Sequence, residues 1–275
     1  MNDLLKDHEE EIEQIKVDQT EAMQELMQTH QQSEEMRADT AISQNLLGMM
    51  LPAHIIEKLE NGIAPEPENF SCVCLFFTDI FEFKKLVASV DPVNILKLLN
   101  VMYNEFDNIL SRYSQLYKVE SVADTYMVAA GLASNDKSDA EISECAKQAF
   151  HCSIEMQRAV QKMNFSLFVG SQEVKLRIGI HAGVINAGLI GTKMSRYCLF
   201  GDTVNTASRM CTTSFPSRIQ VSPNVIKVLG EDETFRFEER GEIEVKVAST
   251  KTFSEFFPFS ETQADVTFNT RAKGK

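Results

Sequence analysis

"LYKVESVADTYMVAAGL", residues 116–132, decides the fold. Two strand-like runs, "LYKVESV" and "TYMVAAGL", flank Ala123 and Asp124, which leaves space only for a tight turn. The stretch reads as a hairpin. On its N-terminal side, "PVNILKLLNVMYNEFDNILSRY" (92–113) repeats apolar residues at helical spacing, and the apolar run "CVCLFF" (72–77) before that reads as a buried strand. On its C-terminal side, "DAEISECAKQAFHCSIEMQRAVQKM" (139–163) is a second long helix. "VKLRIGIHAGVINAGLIG" (174–191) then reads as a pair of strands bent at Gly183. Strand, helix, hairpin, helix, strand is the order of a ferredoxin-like split βαβ sandwich, an α+β fold.

The rest of the chain is divided by composition. Residues 1–47 lack Pro and Gly and are rich in Glu, Gln and Met, which predicts one long helix. A heptad frame places Leu5, Ile12, Gln19, Leu26 and Ser33 on one seam and His8, Ile15, Ala22, Thr29 and Met36 on the other. About half are apolar, enough for a weak two-stranded coiled coil if a dimeric domain follows it. Pro52 ends that helix, and "AHIIEKLENG" is a short helix closed by Gly62, so 48–69 is a linker helix and loop. The globular domain covers 70–258, and the polar tail 259–275 reads as disordered.

Net charge narrows the partners. Residues 1–40 hold twelve acidic and three basic side chains, −9 of the total −13, which leaves −4 on the rest. That balance argues against general nucleic-acid binding but allows a nucleotide whose charge a metal ion offsets. There is no apolar run of membrane-spanning length and no basic–apolar leader at the N-terminus, so a cytoplasmic chain is expected, or one held at a membrane through a larger assembly. The six cysteines then read as reduced thiols, and Cys72-Val73-Cys74 has no second ligand pair for zinc.

Two groups of residues suggest chemistry. Asp79 follows the strand "CVCLFFT" and Asp124 lies in the hairpin turn, so the sheet can bring both carboxylates to one or two hard cations. Locally, each also has a plain role: Asp79 as a helix cap and Asp124 as a turn residue. In "RYCLFGDTVNTASRM" (196–210), Asp202 or Thr203 can cap a helix on which Asn205 and Arg209, four apart, share a face. An amide and a guanidinium there suit an anionic, oxygen-rich ligand, although by themselves they are better explained as a solvated polar face. His181 reads as a packed strand histidine, and the glycines of "GVINAGLIG" lack the strand–turn–helix setting of a dinucleotide fingerprint.

Taken together, "FFTDI", "YKVESVADTYMVAAGL", "RIGIHAG" and "RYCLFGDTVNTASRM" resemble the catalytic domain of class III nucleotide cyclases, closest to guanylate cyclases of the receptor and nitric-oxide-sensing kinds. The resemblance covers about 45–258. It implies that Asp79, Asp124 and the carbonyl of Ile80 bind two Mg²⁺ or Mn²⁺ ions. It implies that Asn205 and Arg209 orient the ribose and stabilise the α-phosphate, that Lys246 holds the terminal phosphates, and that Glu120, Arg196 and Cys198 read guanine. Phe81, Glu82, Phe83 and Lys84 fall in the loop that wraps the triphosphate. A carboxylate at position 120 accepts from the guanine N1–H and 2-amino group, donors that adenine lacks, which favours GTP over ATP. The implied enzyme is a guanylate cyclase working as a homodimer, or as a heterodimer with a related chain. The alternatives are an adenylate or dual-specificity cyclase and a weakly catalytic dimerisation module. Three departures from the family pattern stand out: Glu82 where Gly is usual, with Lys84 beside it as a compensating charge; Ala123 where Gly is usual; and "VAST" after Lys246.

Overall fold

The computed structural model describes residues 51–191, 196–230, 235, 237–243, 251–257 and 265–267, together with scattered positions between 23 and 50. The chain divides into two compact units, Met1–Leu51 and Pro52–Lys275. Of the first unit, described positions such as Met23, Met27 and Met36 are helical with exposed side chains. The coiled coil expected there lies largely outside the described residues.

The second unit opens with α1 (Ala53–Glu60), followed by β1 (Glu68–Ile80), α2 (Phe83–Ser89), α3 (Pro92–Leu110), β2 (Leu116–Val122) and β3 (Thr125–Ala130). Next come α4 (Asp139–Lys162), the single turn α5 (Ser166–Val169), β4 (Leu176–Ile190), β5 (Arg196–Phe200), α6 (Asp202–Thr213), β6 (Ile219–Val221) and α7 (Pro223–Leu229). The remaining described elements are β7 (Glu238–Ile243), β8 (Lys251–Phe257) and β9 (Asp265–Thr267). β9 falls in the tail read as disordered, where its backbone pairs with β7 and β8.

The described strands form one sheet in the order β2-β3-β1-β4-β6-β8-β7-β9, with β5 added to β4. β1 pairs antiparallel with both β3 and β4, so the α3 connection from β1 to β2 passes over β3 and the α4 connection from β3 to β4 passes over β1. The long helices form for local reasons. Asp91 accepts from the Val93 N–H and Pro92 occupies the first turn of α3; Ser138 and Glu141 build a capping box at α4. Ile95, Leu98, Met102, Phe106 and Ile109 recur three or four apart on α3 and join Ala146, Ala149, Phe150 and Val160 of α4. With alternate β1 residues Cys74, Phe76 and Ile80 they make the main core.

The opposite face, carrying Leu75, Phe77 and Asp79, is covered by α6, which packs on β4 and β1. Two glycines permit that approach. A Cβ at Gly179 would lie 1.8 Å from the Cys211 backbone nitrogen, and one at Gly183 would lie 2.6 Å from Thr203 Oγ1. Gly183 therefore serves close packing rather than a bend. β4 is one continuous 15-residue strand, not the pair expected from its glycines. It stays continuous because β1 and then β5 supply partners along its length.

Candidate active site

Asp79 and Asp124 meet at the end of β1. Asp79 is the last but one residue of that strand and is 8% exposed. Asp124 stands in the β2–β3 turn, and its Oδ2 accepts from the Ile80 N–H at 3.1 Å. The turn is anchored from α3, where the Tyr103 hydroxyl donates to the Ala123 carbonyl at 2.7 Å. Burial, the nearby Asp79 charge adding to it, holds the Asp124 carboxyl above its ordinary pKa despite the Ile80 hydrogen bond. Burial and then the Asp124 charge push the Tyr103 phenol upward as well.

Asp79 does not cap α2, because Glu82 holds that position. Asp79 instead faces Arg177, its register partner on β4. Arg177 Nε donates to Oδ1 at 2.8 Å and Nη2 to Oδ2 at 2.5 Å, while Nη1 donates to the Thr212 carbonyl at 2.9 Å. Its guanidinium also lies 5.5 Å from the centre of the Phe81 ring. Burial disfavours the Arg177 charge, but the hydrogen bonds and charge of Asp79 outweigh that and raise its pKa. The sequence reading passed over Arg177. Its signal was a lone cation in the apolar run "LRIGIHAG".

The carboxylate pair fits a divalent cation. The partly buried Asp124 feels the Asp79 charge, and the Arg177 guanidinium pairs with Asp79 alone of the two, so the pair calls for further positive charge.

The following loop shows what the departures do. Glu82 has φ 57° and Ala123 φ 52°, left-handed conformations that glycine adopts without strain. The Glu82 carboxylate turns to Lys85 in an i,i+3 ion pair. Glu82 and Lys84 are exposed, and Phe81 and Phe83 are half-buried. A cleft of about 320 Å³ beside this loop is lined by Ile80, Phe81, Glu82, Lys85 and Lys175. A wider one, about 450 Å³, lies between β4 and α7 against His181 and Asn224, remote from the carboxylates in the register.

The other described site residues are carried by β5, β2 and α6. Cys198 is half-buried on β5 opposite Gly188, and Arg196 is exposed at the start of that strand. Glu120 follows a register shift in β2 and is exposed. Tyr117 and Tyr197 touch edge to face, with ring centres 6.2 Å apart, which brings β2 and β5 together. Tyr197 also donates to Glu68, which accepts from His54 at 2.9 Å and Lys58 at 2.8 Å, so α1 braces β5. On α6, Asn205 is exposed and Arg209 half-buried. The cap of α6 is Gly201, without a side-chain hydrogen bond; Thr203, expected as a cap, donates to the Val184 carbonyl at 2.7 Å. Asp202 instead sits in the first turn. Lys246 lies outside the described residues. His181 is packed as expected, with Nδ1 2.6 Å from Ser222 Oγ, and all six cysteines are free thiols.

Residues 66–257 match the profile of the adenylate and guanylate cyclase catalytic domain. The chain belongs to that family. This cyclase domain is 37% identical over 222 residues to retinal guanylyl cyclase 2 of Homo sapiens, covering 80% of the chain and 19% of that protein. It is 39% identical over 210 residues to guanylate cyclase 2G of Rattus norvegicus, covering 76% of the chain and 18% of the relative. The chain thus spans about a fifth of the length of these curated relatives. Among solved structures, the guanylate cyclase domain of RhGC from Catenaria anguillulae in complex with GTP is similar with a TM-score of 0.60 and 26% identity, covering 68% of this chain and 97% of that one. The fold is therefore the mixed α/β fold of cyclase catalytic domains. Among the described residues, no helix of this domain is long and apolar enough to cross a membrane.

Proposed function

We propose that this domain is a guanylate cyclase that converts GTP to 3′,5′-cyclic GMP and pyrophosphate at the interface of a homodimer. The architecture is read as a ferredoxin-like split βαβ sandwich, in keeping with the β4-β1-β3-β2 order. The observation that carries the reading is a separation along β4. Asp79 pairs with position 177 and Cys198 with position 188, eleven residues further on. Measured along the strand that is on the order of 35 Å, which sets Cys198 apart from Asp79 on the same sheet. A two-fold dimer resolves the distance by setting the carboxylates of one chain against the base readers of the other. A heterodimer with a related cyclase chain would do the same.

Asp79, Asp124 and the Ile80 carbonyl would hold two Mg²⁺ or Mn²⁺ ions, which when bound supply Lewis acidity at the ribose 3′-hydroxyl and offset the phosphate charge. Glu120 accepts from the guanine N1–H and 2-amino group, with Cys198 and Arg196 beside it. Asn205 orients the ribose. Arg209 neutralises charge developing on the α-phosphate as the 3′-oxygen attacks and pyrophosphate leaves in line. Lys246 and the backbone of Phe81, Glu82, Phe83 and Lys84 hold the terminal phosphates.

The domain limits follow the same reading: 1–47 a dimerising helix, 48–69 a linker helix and loop, 70–258 the catalytic domain, 259–275 a tail. The domain is read as cytoplasmic, or held at a membrane through a larger assembly.

The test is a cyclisation assay on purified protein with GTP or ATP and Mg²⁺ or Mn²⁺. Cyclic GMP, lost in Asp79→Ala and Asp124→Ala, is expected. Cyclic AMP instead would overturn the assignment of Glu120 and Cys198. A folded dimer making neither product would favour the dimerisation module.

A further inference from the structure

Asp79 is the more buried of the two site carboxylates, and both its oxygens are already engaged by one side chain. Arg177 approaches as a fork, and its third nitrogen is tied to Thr212 at the C-terminal end of α6. Phe81 lies beside the guanidinium. A planar two-point contact of this kind is among the strongest that a carboxylate makes. The Arg177 charge also reaches Asp124, which lies in the same field. The guanidinium thus supplies, from inside the chain, the positive charge that the site otherwise takes from a metal.

We propose that Arg177 is a resident counter-ion that competes with the divalent metal for Asp79, so that the nucleotide-free domain holds metal only by displacing it. The proposal rests on the reading of Asp79 and Asp124 as metal residues. Competition has two physical sources. The fork occupies oxygens that a small hard cation needs at close range. A fixed positive charge at that distance also repels an incoming dication, weakly screened because the pair is largely buried. A bound cation can shift this balance only by its preference for the state in which Arg177 has left. Metal binding and release of Arg177 are therefore one coupled event. Arg177 is in this sense a positioning residue that keeps a buried carboxylate compensated until the metal replaces it.

The experiment is Mn²⁺ binding to the nucleotide-free full chain, read as loss of the free-ion paramagnetic resonance signal. The chains are wild type, Arg177→Gln, Arg177→Lys, and Asp79→Asn in the wild-type and Arg177→Gln backgrounds. Arg177→Gln is expected to bind Mn²⁺ at least about tenfold more tightly than wild type, since the competing charge and fork are gone. Arg177→Lys keeps the charge without the fork and should fall between them. Equal affinity of wild type and both Arg177 variants overturns the proposal. An Arg177→Gln chain that folds only with Mn²⁺ present supports it, because one cation then substitutes for another. Should Arg177→Gln fail to fold under all conditions, Arg177→Lys decides alone: tighter than wild type supports, equal or weaker overturns. Asp79→Asn should lower binding in either background. If it does not, the metal reading of Asp79 fails, an outcome distinct from failure of the competition.

Discussion

At the Asp79 end of β4 the functional charges are already answered within the chain. Asp79 holds Arg177 at two points, and Asp124 takes the Ile80 N–H. On the elements proposed to read the base and ribose, Glu120 of β2 and Asn205 of α6 are exposed, and their side chains make no hydrogen bond or ion pair with a described residue. There the scaffold is what is fastened: Glu68 gathers His54, Lys58 and Tyr197 and so fixes β5 beneath residues that face outward. One end is electrostatically closed and needs a competitor to open it. The other is open and needs a second molecule to complete it. The difference is what a site shared between two chains requires, because each copy must fold alone while offering one half of the chemistry.

The contrast is broken most directly by mixing variants. Asp79→Ala and Arg209→Ala chains should each lose at least about 100-fold in cyclic GMP formation. An equal mixture should recover about a quarter of wild-type activity, because half of the random dimers carry one intact site of two. Recovery no greater than the two variants measured separately would place both halves in one chain.

Next in size is Gly179→Ala. Its methyl would collide with the Cys211 backbone, so α6 must lift from β4. A loss of about 3 kcal/mol is expected, or on the order of 10 °C in a thermal melt. A melt unchanged from wild type would show that α6 is not seated through this glycine. The base-reading end is sharpened by Glu120→Lys with Cys198→Asp, which should shift the GTP-to-ATP preference at least about tenfold toward ATP in kcat/KM.

Glu68→Gln tests the brace under that end, with an expected loss of about 1–2 kcal/mol at neutral pH. Burial alone would raise the Glu68 pKa, but hydrogen bonds from Lys58 and His54 more than offset it and hold the carboxyl below its ordinary 4.5. A depressed acid stabilises the fold above its unfolded pKa. The wild-type advantage over Glu68→Gln should therefore hold above about pH 4.5 and shrink as pH falls through the lower folded value, read from paired melts. Smallest are Glu82→Gly and Ala123→Gly at the carboxylate end. Each replaces a strained left-handed residue and should add up to about 1 kcal/mol of stability. A loss instead would mean that the Glu82–Lys85 pair outweighs the backbone strain at that position.

Much of this was legible in the chain of letters because it rests on local pattern. The 3.6-residue spacing of α3 and α4, the hairpin around Ala123 and Asp124, and the apolar run ending at Asp79 each express a periodicity or a turn preference that acts over a few residues. "RYCLFGDTVNTASRM" was specific enough to indicate the family before any geometry was known. The pattern misled where one residue type serves two ends. Gly183 looked like a bend and is a seat for Thr203; Thr203 looked like a cap and is a tether to Val184.

Sequence by itself determined that this chain alternates strands and helices in cyclase order and carries two aspartates, an Asn–Arg pair and a Glu–Cys pair. Only the tertiary structure decided that Arg177 grips Asp79, that Glu82 turns to Lys85, and that Asp79 and Cys198 face positions eleven residues apart along one strand. Those facts depend on strand register and helix seating, which join residues as far apart as Asp79 and Arg177, 98 positions, and leave no periodic trace in the sequence.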